Sequence, residues 1–361
     1  MQQQFQTHKK DFSRTQIVSA NQEMPLSDGQ VRARVERFAF TANNITYAVV
    51  GERIRYWEFF PPTNSDAADW GVIPVWGFAE ISESQNNEIK VGERLFGYFP
   101  PATELVMTPT NVSSASFIDA STHRQDLPPA YNVYRRVAAE SRDERQEAER
   151  MLLYPLYLTA FCIHDLFKAQ DWQGAEQVII ISASSKTSIG TAFAFTEDPN
   201  APSVIGLTSS RNVDFVNQLG CYESVLSYDE LEQIDTNRAA LIIDMSGNGD
   251  VIGRLHKHLG QNMKFSSHVG ITHWDDAAMG PDFIAERSQQ FFAPGHIQQR
   301  IKEWGGAEFE RKTSAFIERA AAASRTWLSV NSVKGLEGLA QIYPSVLQGS
   351  APPNEGIVIT L

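Results

Sequence analysis

Residues 177–196 read QVIIISASSKTSIGTAFAFT, and this stretch decides the fold class. It begins with an apolar run typical of a buried strand, continues with small polar residues typical of a turn, and ends in an amphipathic helical segment. In a doubly wound α/β sheet, the first turn between strand and helix cradles a phosphate group with its backbone N–H groups. We therefore predict such a sheet, with its first strand at QVIIIS.

The segments that follow keep alternating between strand and helix. SVIGLTS, AALIIDMS and MKFSSHVG read as further strands, and helical stretches separate them. An apolar helix, MLLYPLYLTAFCIHDLF, precedes the first strand. Strands that alternate with helices predict a parallel, doubly wound sheet.

The two ends of the chain have a different pattern. Short alternating strands and turns from Gln16 to Met107 predict a β-rich domain, and the charged run SRDERQEAER marks its end. From about Ile301 the chain is helical before it closes on the strand IVITL. We predict a β-rich domain over residues 1–150, a doubly wound domain over 151–300 and a return to the first domain over 301–361.

Composition excludes several classes of function. The chain has 361 residues and a net charge of −12, which offers no basic surface for nucleic acid. Its two cysteines, Cys162 and Cys221, cannot form a disulfide framework or a cysteine-based zinc site. The polar start and the lack of an eighteen-residue apolar run predict a cytoplasmic protein without a membrane partner.

The turn after the first strand, Ser182 to Gly190, is rich in hydroxyl groups instead of glycines. Ser184 and Ser188 occupy positions where a dinucleotide-binding turn has glycine. Lys186 neutralises a phosphate in this interpretation, and side-chain hydroxyls replace lost backbone contacts. The predicted phosphate-binding residues are Ser184, Ser185, Lys186, Thr187, Ser188 and Gly190. The alternative is an ordinary polar helix cap.

The end of the second strand indicates which dinucleotide is bound. NAD-preferring sites carry an acidic residue there for the ribose 2′-hydroxyl. This chain instead has Thr208, Ser209, Ser210 and Arg211, and an arginine beside hydroxyls favours a 2′-phosphate. We predict NADP(H) bound by Ser209, Ser210 and Arg211, with a solvated loop arginine as the alternative.

In this order, these pieces resemble the medium-chain dehydrogenase/reductase superfamily, most closely its zinc-independent quinone-oxidoreductase-like branch. GQVRARVERFAFTANNITYAVVGE resembles the opening strand and substrate-pocket turn, KVGERLFGYFP a following β element, and LYLTAF the helix beside the nicotinamide. The turn at 182–190 and GLAQIYPSVLQGSAPPNEGIVITL, which is similar to the closing strand, extend the resemblance over nearly the whole chain. The serine-rich turn and the NNITYA and FFPP segments resemble a subfamily described as a domain of unknown function, DUF2855.

The resemblance implies a GroES-like β-rich domain and a Rossmann-type domain, with the active site in the cleft between them. It implies an oxidoreductase that transfers a hydride from NADPH to an activated carbonyl or a conjugated C=C, and a homodimer by analogy. Thr159 of LYLTAF corresponds to a cofactor contact, and the backbone of Val269 and Gly270, after the fourth strand, is placed to contact the nicotinamide. Asn44, Tyr47 and WGFAE stand where zinc-dependent relatives carry ligands, so we predict no metal.

Without a metal, reduction needs a hydrogen-bond donor at the oxygen where charge develops. Tyr47 is the candidate donor, and Asn44 is placed to polarise the same oxygen. The alternative is a tyrosine packed at the domain interface with an asparagine shaping the turn. A cluster of aromatic residues is predicted to line an apolar small-molecule pocket or to pack the core: Tyr56, Trp57, Phe59, Phe60, Trp76, Phe291 and Phe292.

Other polar residues near the strand ends leave alternatives open. His268 ends the fourth strand and is either a proton relay or a hydrogen-bonded structural histidine. Asp244 ends the third strand, where turn formation with Gly247 and Gly249 explains it. Two other functions also remain: a non-catalytic NADPH-binding protein that keeps the fold, and a cofactor-free binding module.

Overall fold

The computed structural model describes residues 2–21, 25–138, 142–269 and 282–361. The strands are β1 (Gln3–His8), β2 (Asp11–Ser19), β3 (Val31–Phe40), β4 (Trp70–Gly71), β5 (Val75–Ser84), β6 (Arg94–Phe99), β7 (Glu104–Met107), β8 (Pro109–Thr110), β9 (Ser116–Asp119), β10 (Val133–Val137), β11 (Gln177–Ile181), β12 (Ser203–Thr208), β13 (Ser224–Ser227), β14 (Ala240–Asp244), β15 (Met263–Val269), β16 (Ser288–Phe291), β17 (Ser329–Lys334) and β18 (Glu355–Thr360). The helices are α1 (Ala42–Val49), α2 (Glu144–Ala169), α3 (Lys186–Thr196), α4 (Val213–Gln218), α5 (Gly249–Leu259), α6 (Ala293–Trp304), α7 (Gly306–Ser324) and α8 (Gly335–Leu347).

The chain divides into two compact units. The first is formed by Met1–Leu152 and Leu328–Leu361, and the second by Leu153–Trp327. The first boundary falls within α2, two residues from the expected one. The second boundary differs more, since residues 301–327 belong to the second unit and not to the first.

Packing explains the later second boundary. Phe309 of α7 lies in the buried core of the second unit together with Ile297 of α6. The Tyr157 hydroxyl lies 2.5 Å from that of Ser324 at the end of α7. The apolar faces of α6 and α7 are therefore covered within the second unit, and the helical periodicity of this tail did not indicate which unit it packs against.

In the second unit, six strands form a parallel sheet in the order β13-β12-β11-β14-β15-β16. Every residue of β11 and β14 is buried. Alternate residues of β11 enter two different clusters, with Val178 and Ile180 in one and Ile179 and Ile181 in the other. Helices therefore cover both faces, as a parallel sheet requires, and the predicted Rossmann-type sheet is confirmed.

The first unit is β-rich. Nine of its described strands form one sheet, in the order β17-β18-β3-β5-β6-β10-β9-β8 with β7 also paired to β3, and β2-β1-β4 form a second. The C-terminal strand β18 pairs antiparallel with β3, so that Ile357 lies opposite Phe40. The end of the chain thereby adds to the sheet that the N-terminal half begins.

The segment around Asn44 differs from its expectation. The segment expected as a turn at Asn44 is the helix α1. Thr41 and Asn44 form a capping box there, in which Asn44 Oδ1 accepts a hydrogen bond from Thr41 N at 2.7 Å. A capping box satisfies backbone N–H groups that a helix start leaves unpaired, which favours a helix over a simple turn.

Candidate functional site

The turn between β11 and α3 lies at the carboxyl edge of the parallel sheet. Ser182 adopts φ +66°, in the left-handed region where glycine is favoured. Its carbonyl accepts a hydrogen bond from Ser185 N at 2.9 Å. Ser185 then caps α3, because its Oγ accepts from Ser188 N at 3.2 Å and lies 2.8 Å from Ser188 Oγ. The turn therefore keeps a glycine-like backbone at Ser182.

The predicted alternative of a polar cap thus holds for Ser185 and Ser188. Ser188 is fully buried, so its hydroxyl serves the turn itself. Lys186 and Thr187 are the first two residues of α3 and are both half-buried. These two side chains therefore keep part of their surface exposed at this helix start, whereas the buried Ser188 shapes the turn.

Ser184 joins the first turn to the end of β12. Its Oγ accepts a hydrogen bond from Asn212 Nδ2 at 3.0 Å and lies 3.3 Å from Thr208 Oγ1. Ser209, which is half-buried, and Ser210 and Arg211, which are exposed, lie between these two partners. The structure therefore holds the two predicted halves of the cofactor site, the turn and the Arg211 loop, next to each other. Sequence analysis missed Asn212, a polar residue one position beyond Arg211.

Gly190 has a packing role. A Cβ atom at this position would lie 2.5 Å from Cδ1 of Tyr157 and 3.3 Å from Cβ of Ala160, both on α2. At Gly190, α3 therefore approaches the helix α2 closely. Gly190 is buried, and its lack of a side chain lets α3 pack against α2.

Gly190→Ala is expected to destabilise the second unit by about 1–3 kcal/mol, since the added methyl group would overlap a buried ring. The matched control is Gly306→Ala at the start of α7, where a Cβ would have no neighbour within 4 Å. Chemical denaturation of both variants tests this. Equal midpoints for the two variants would contradict the packing role.

The remaining predicted cofactor residues lie on α2 and β15. Thr159 Oγ1 donates to the carbonyl of Pro155 at 3.0 Å, within its own helix. Val269 is half-buried, ends β15 and pairs in register with Phe291 of β16. Gly270 lies outside the described residues.

A buried polar pair lies at the ends of β14 and β15, where sequence analysis left His268 as either a proton relay or a structural histidine and explained Asp244 by turn formation. His268 Nδ1 lies 3.3 Å from Asp244 Oδ2, and His268 Nε2 lies 2.9 Å from Ser266 Oγ. Asp244 Oδ1 also accepts from Ser246 N at 2.8 Å, and Gly247 N donates to the carboxylate. The predicted turn role of Asp244 with Gly247 is thereby seen directly. The signal in the sequence was a polar residue at the end of each strand.

Tyr47 lies on α1 within an aromatic cluster of the first unit. Trp76 Nε1 donates to its hydroxyl at 3.4 Å, and its ring lies 4.7 Å from that of Tyr56 and 5.7 Å from that of Tyr98. Burial raises the pKa of the Tyr47 phenol far above its ordinary value. Tyr47 therefore keeps its proton at neutral pH and is suited to donate a hydrogen bond.

Asn44 is committed to structure. Besides the contact to Thr41, its Nδ2 donates to the carbonyl of Pro74 at 2.8 Å, and the residue is 4% exposed. These bonds hold the amide in the capping position. The alternative prediction for Asn44, that it shapes the local backbone, therefore accounts for its contacts. Of the two residues, Tyr47 is the better candidate for a contact to substrate.

The aromatic cluster divides between the units. Tyr56, Trp57, Phe59, Phe60 and Trp76 are all buried in the first unit, where the Tyr56 and Tyr131 hydroxyls lie 2.8 Å apart. The other two predicted members belong to the second unit: Phe291 to its buried core and Phe292, 44% exposed, to its surface.

Metal-binding and membrane-spanning features were searched for in the described ranges. No group of three or more His, Cys, Asp or Glu side chains there is arranged to hold a metal ion. Burial raises the pKa of the Cys221 thiol to about 12 and that of Cys162 further, so neither is poised as a thiolate ligand. In the same ranges, each helix is too short or too polar to cross a bilayer.

The fold is similar to those of solved reductases over nearly the full length. A putative NADPH:quinone reductase from Bacillus thuringiensis matches with a TM-score of 0.61 and 14% identity, covering 100% of this chain and 99% of that one. CurA in complex with NADPH from Vibrio vulnificus matches with a TM-score of 0.61 and 10% identity, covering 96% and 94%. A mutant form of enoyl thioester reductase from Candida tropicalis matches with a TM-score of 0.56 and 11% identity, covering 100% and 99%.

At these identities the likeness concerns the fold, and it confirms the predicted combination of a GroES-like β-rich domain with a Rossmann-type domain. No curated protein matches the chain. A family model described as "Protein of unknown function (DUF2855)" matches residues 38–352. That match spans most of both units, so the chain belongs to the DUF2855 family.

Proposed function

We propose that this protein is a zinc-independent, NADPH-dependent oxidoreductase that reduces an activated carbonyl or a conjugated C=C of a small molecule. The observation that carries the proposal is the carboxyl edge of the six-stranded sheet. Ser184 there connects the turn after β11 to the Thr208–Asn212 loop. In this strand order, a dinucleotide binds at that edge, where the order reverses between β11 and β14.

The residues present fit NADP(H) better than NAD(H). The loop after β12 offers Ser209, Ser210 and Arg211 and has no acidic residue that would accept a ribose 2′-hydroxyl. Asp244, the carboxylate nearby at the end of β14, is 2% exposed, and its oxygens already accept hydrogen bonds from its own loop. The edge therefore presents hydroxyl groups and positive charge to an anionic ligand.

The comparisons support the same cofactor. One similar structure is described as an NADPH complex and another as a putative NADPH:quinone reductase. A bound NADPH would supply a hydride, leaving this chain to bind the cofactor, orient the substrate and stabilise the negative charge that develops on its oxygen. We assign the last role to the Tyr47 hydroxyl, because its raised pKa keeps it protonated.

Arg211→Ala is expected to weaken NADPH binding about 10- to 100-fold, since a charge-assisted contact to phosphate contributes roughly 1.5–3 kcal/mol. NADH lacks the 2′-phosphate, so its affinity is expected to stay within about twofold. Titration calorimetry measures both ligands. Lys186→Ala is the informative comparison. Loss of a contact to the pyrophosphate, which both nucleotides carry, is expected to weaken the binding of NADPH and NADH alike.

Arg319→Ala is the matched control for charge, because Arg319 is an exposed arginine of the same unit and is paired with Glu197 at 3.0 Å. It is expected to leave both affinities unchanged. Equal loss of NADPH and NADH in Arg211→Ala would refute the 2′-phosphate assignment.

The test of the whole proposal has two stages. NADPH is expected to raise the melting temperature more than NADH does, because a selective ligand stabilises the native state by mass action. Stoichiometric oxidation of NADPH with one member of a panel of quinones, enones and enoyl thioesters would then establish turnover. A panel of this kind also tests the apolar substrate that the sequence predicts, and sedimentation tests the homodimer expected by analogy.

The second candidate is a non-catalytic NADPH-binding protein that keeps the fold. It is favoured by the engagement of Asn44 in the α1 cap and by the hydroxyl-rich turn, in which Ser185 and Ser188 bond to each other. Tight NADPH binding without oxidation across the panel would establish this candidate. If neither nucleotide shifts the melting temperature, a cofactor-free binding module is the explanation.

A further inference from the structure

The histidine and aspartate at the ends of β15 and β14 form a buried contact between neighbouring strands. Asp244 and His268 are register partners in the sheet, and each is 2% exposed. The carboxylate accepts at 3.3 Å from His268 Nδ1, which leaves Nε2 to the Ser266 hydroxyl at 2.9 Å. Phe283 lies edge-on to the imidazole, with ring centroids 6.0 Å apart. The imidazole is therefore held on three sides.

The same carboxylate shapes the loop that follows β14. It accepts hydrogen bonds from the backbone N–H and the hydroxyl of Ser246 at 2.8 and 2.7 Å, and from Gly247 N at 3.1 Å. Gly247 has φ +63°, which glycine adopts without steric cost. Asp244 thus determines the path of this loop, and His268 ties it to the end of β15.

The position of this pair assigns it to one half of the ligand crevice. Two mononucleotide-binding halves make up a sheet of this order, and a dinucleotide spans the point where they meet. Arg211 and the Ser184 turn belong to the half formed by β11, β12 and β13, which takes the adenosine 2′-phosphate in the proposed function. The Asp244–His268 pair lies in the other half, at the ends of β14 and β15.

Stability alone does not explain the pair. The residues of β14 before Asp244 are all apolar, and a buried ionisable pair in such surroundings adds little or nothing to stability compared with apolar residues of similar size. Such a pair does fix geometry, because losing either partner leaves the other buried without its hydrogen bond. A function in positioning is therefore the better explanation.

We propose that Asp244 and His268 are positioning residues for the nicotinamide half of the bound dinucleotide. By holding the loop after β14 against the end of β15, they preform the surface on which that half rests. This inference rests on the proposed NADPH function, and it adds residues that neither the motif nor the resemblance indicated.

The experiment compares NADPH with 2′,5′-ADP, which carries only the adenosine half. His268→Asn keeps an amide N–H close to the position of Nδ1, whereas His268→Gln displaces its amide toward the position of Nε2. The glutamine variant is expected to bind NADPH about tenfold more weakly, and the asparagine variant within about threefold of the wild type. Both are expected to bind 2′,5′-ADP like the wild type.

Asp244→Asn tests the contact from the other side, and it is expected to weaken NADPH without changing 2′,5′-ADP. Ser267→Ala is the matched control, since Ser267 is buried next to His268 but points to the opposite face of the strand. It is expected to change neither affinity.

The outcomes separate the two proposals. If the wild type binds neither NADPH nor 2′,5′-ADP, the proposed NADPH function and this inference are both overturned. Suppose that the wild type binds both ligands. If His268→Gln then lowers the affinity for NADPH and 2′,5′-ADP equally, or changes neither affinity, the positioning role is refuted and the cofactor assignment stands. Selective loss of NADPH affinity in His268→Gln, recovered in His268→Asn, establishes it.

Discussion

Arg124→Leu is expected to lower the stability of the first unit by about 3–5 kcal/mol, because it leaves a buried carboxylate without its counter-charge. The Arg124 side chain has no exposed surface, and its guanidinium donates to Asp119 Oδ2 at 2.9 Å and to the Tyr134 hydroxyl at 2.7 Å. It also donates to Asn132 Oδ1 at 3.0 Å and to the carbonyl of Tyr131 at 2.8 Å. The other partners of the guanidinium, Asn132, Tyr134 and the Tyr131 carbonyl, are uncharged and cannot replace the positive charge beside Asp119.

Thermal unfolding measures the effect, which corresponds to a fall in melting temperature of roughly 6–20 °C. Arg34→Leu is the matched control, since Arg34 is 63% exposed and pairs with Glu80 at 3.3 Å. An exposed pair of this kind contributes less than about 1 kcal/mol.

A second variant, Arg124→Leu combined with Asp119→Asn, removes the uncompensated charge and is expected to recover part of the lost stability. Additive losses from the two changes would show that the charge pair is not the cause.

Tyr47→Phe is expected to reduce kcat about 100-fold, or ~2.7 kcal/mol, once a substrate is identified, because it removes one hydrogen-bond donor to the developing oxyanion. The ring and its contacts to Tyr56 and Tyr98 remain, so the expected dissociation constant for NADPH is unchanged. Since burial keeps the phenol protonated well above neutral pH, no loss of activity from its ionisation is expected between about pH 6 and pH 9.

The control is Tyr343→Phe, another buried tyrosine of the first unit, whose ring packs against Phe5 and Phe40. Steady-state kinetics of both variants with a saturating substrate checks the expectation. A similar kcat for wild type and Tyr47→Phe would assign Tyr47 to core packing, the alternative that its contacts also allow.

Local signals in the chain were sufficient for the main elements of the second unit. The apolar runs of β11 and β14 predicted buried parallel strands, because a strand covered on both faces needs apolar residues at every position. β16, with the sequence SQQF, was missed since a short polar strand has no such run. β13 lies in a stretch between two predicted strands that was expected to be helical, and β17 was missed for the same reason as β16.

Hydrogen bonds between distant residues explain why the candidate site was only partly predicted. The hydroxyl-rich turn and Arg211 were identified because each follows a strand, which is a local feature. The bond from Asn212 to Ser184 and the contact between Asp244 and His268 join residues 28 and 24 positions apart. Nothing in the intervening sequence records such a pairing.

The strand–turn–helix at residues 177–196 was enough to predict a doubly wound sheet with a strand-to-helix turn at its carboxyl edge. This follows because hydrophobic periodicity and turn chemistry act between near neighbours in the chain. The roles within that turn were decided by packing and long-range bonding: Gly190 accommodates Tyr157, Ser188 serves the cap, and Ser184 reaches the Arg211 loop. Which hydroxyl faces a ligand and which faces its own protein depends on contacts that form only when the strands are assembled.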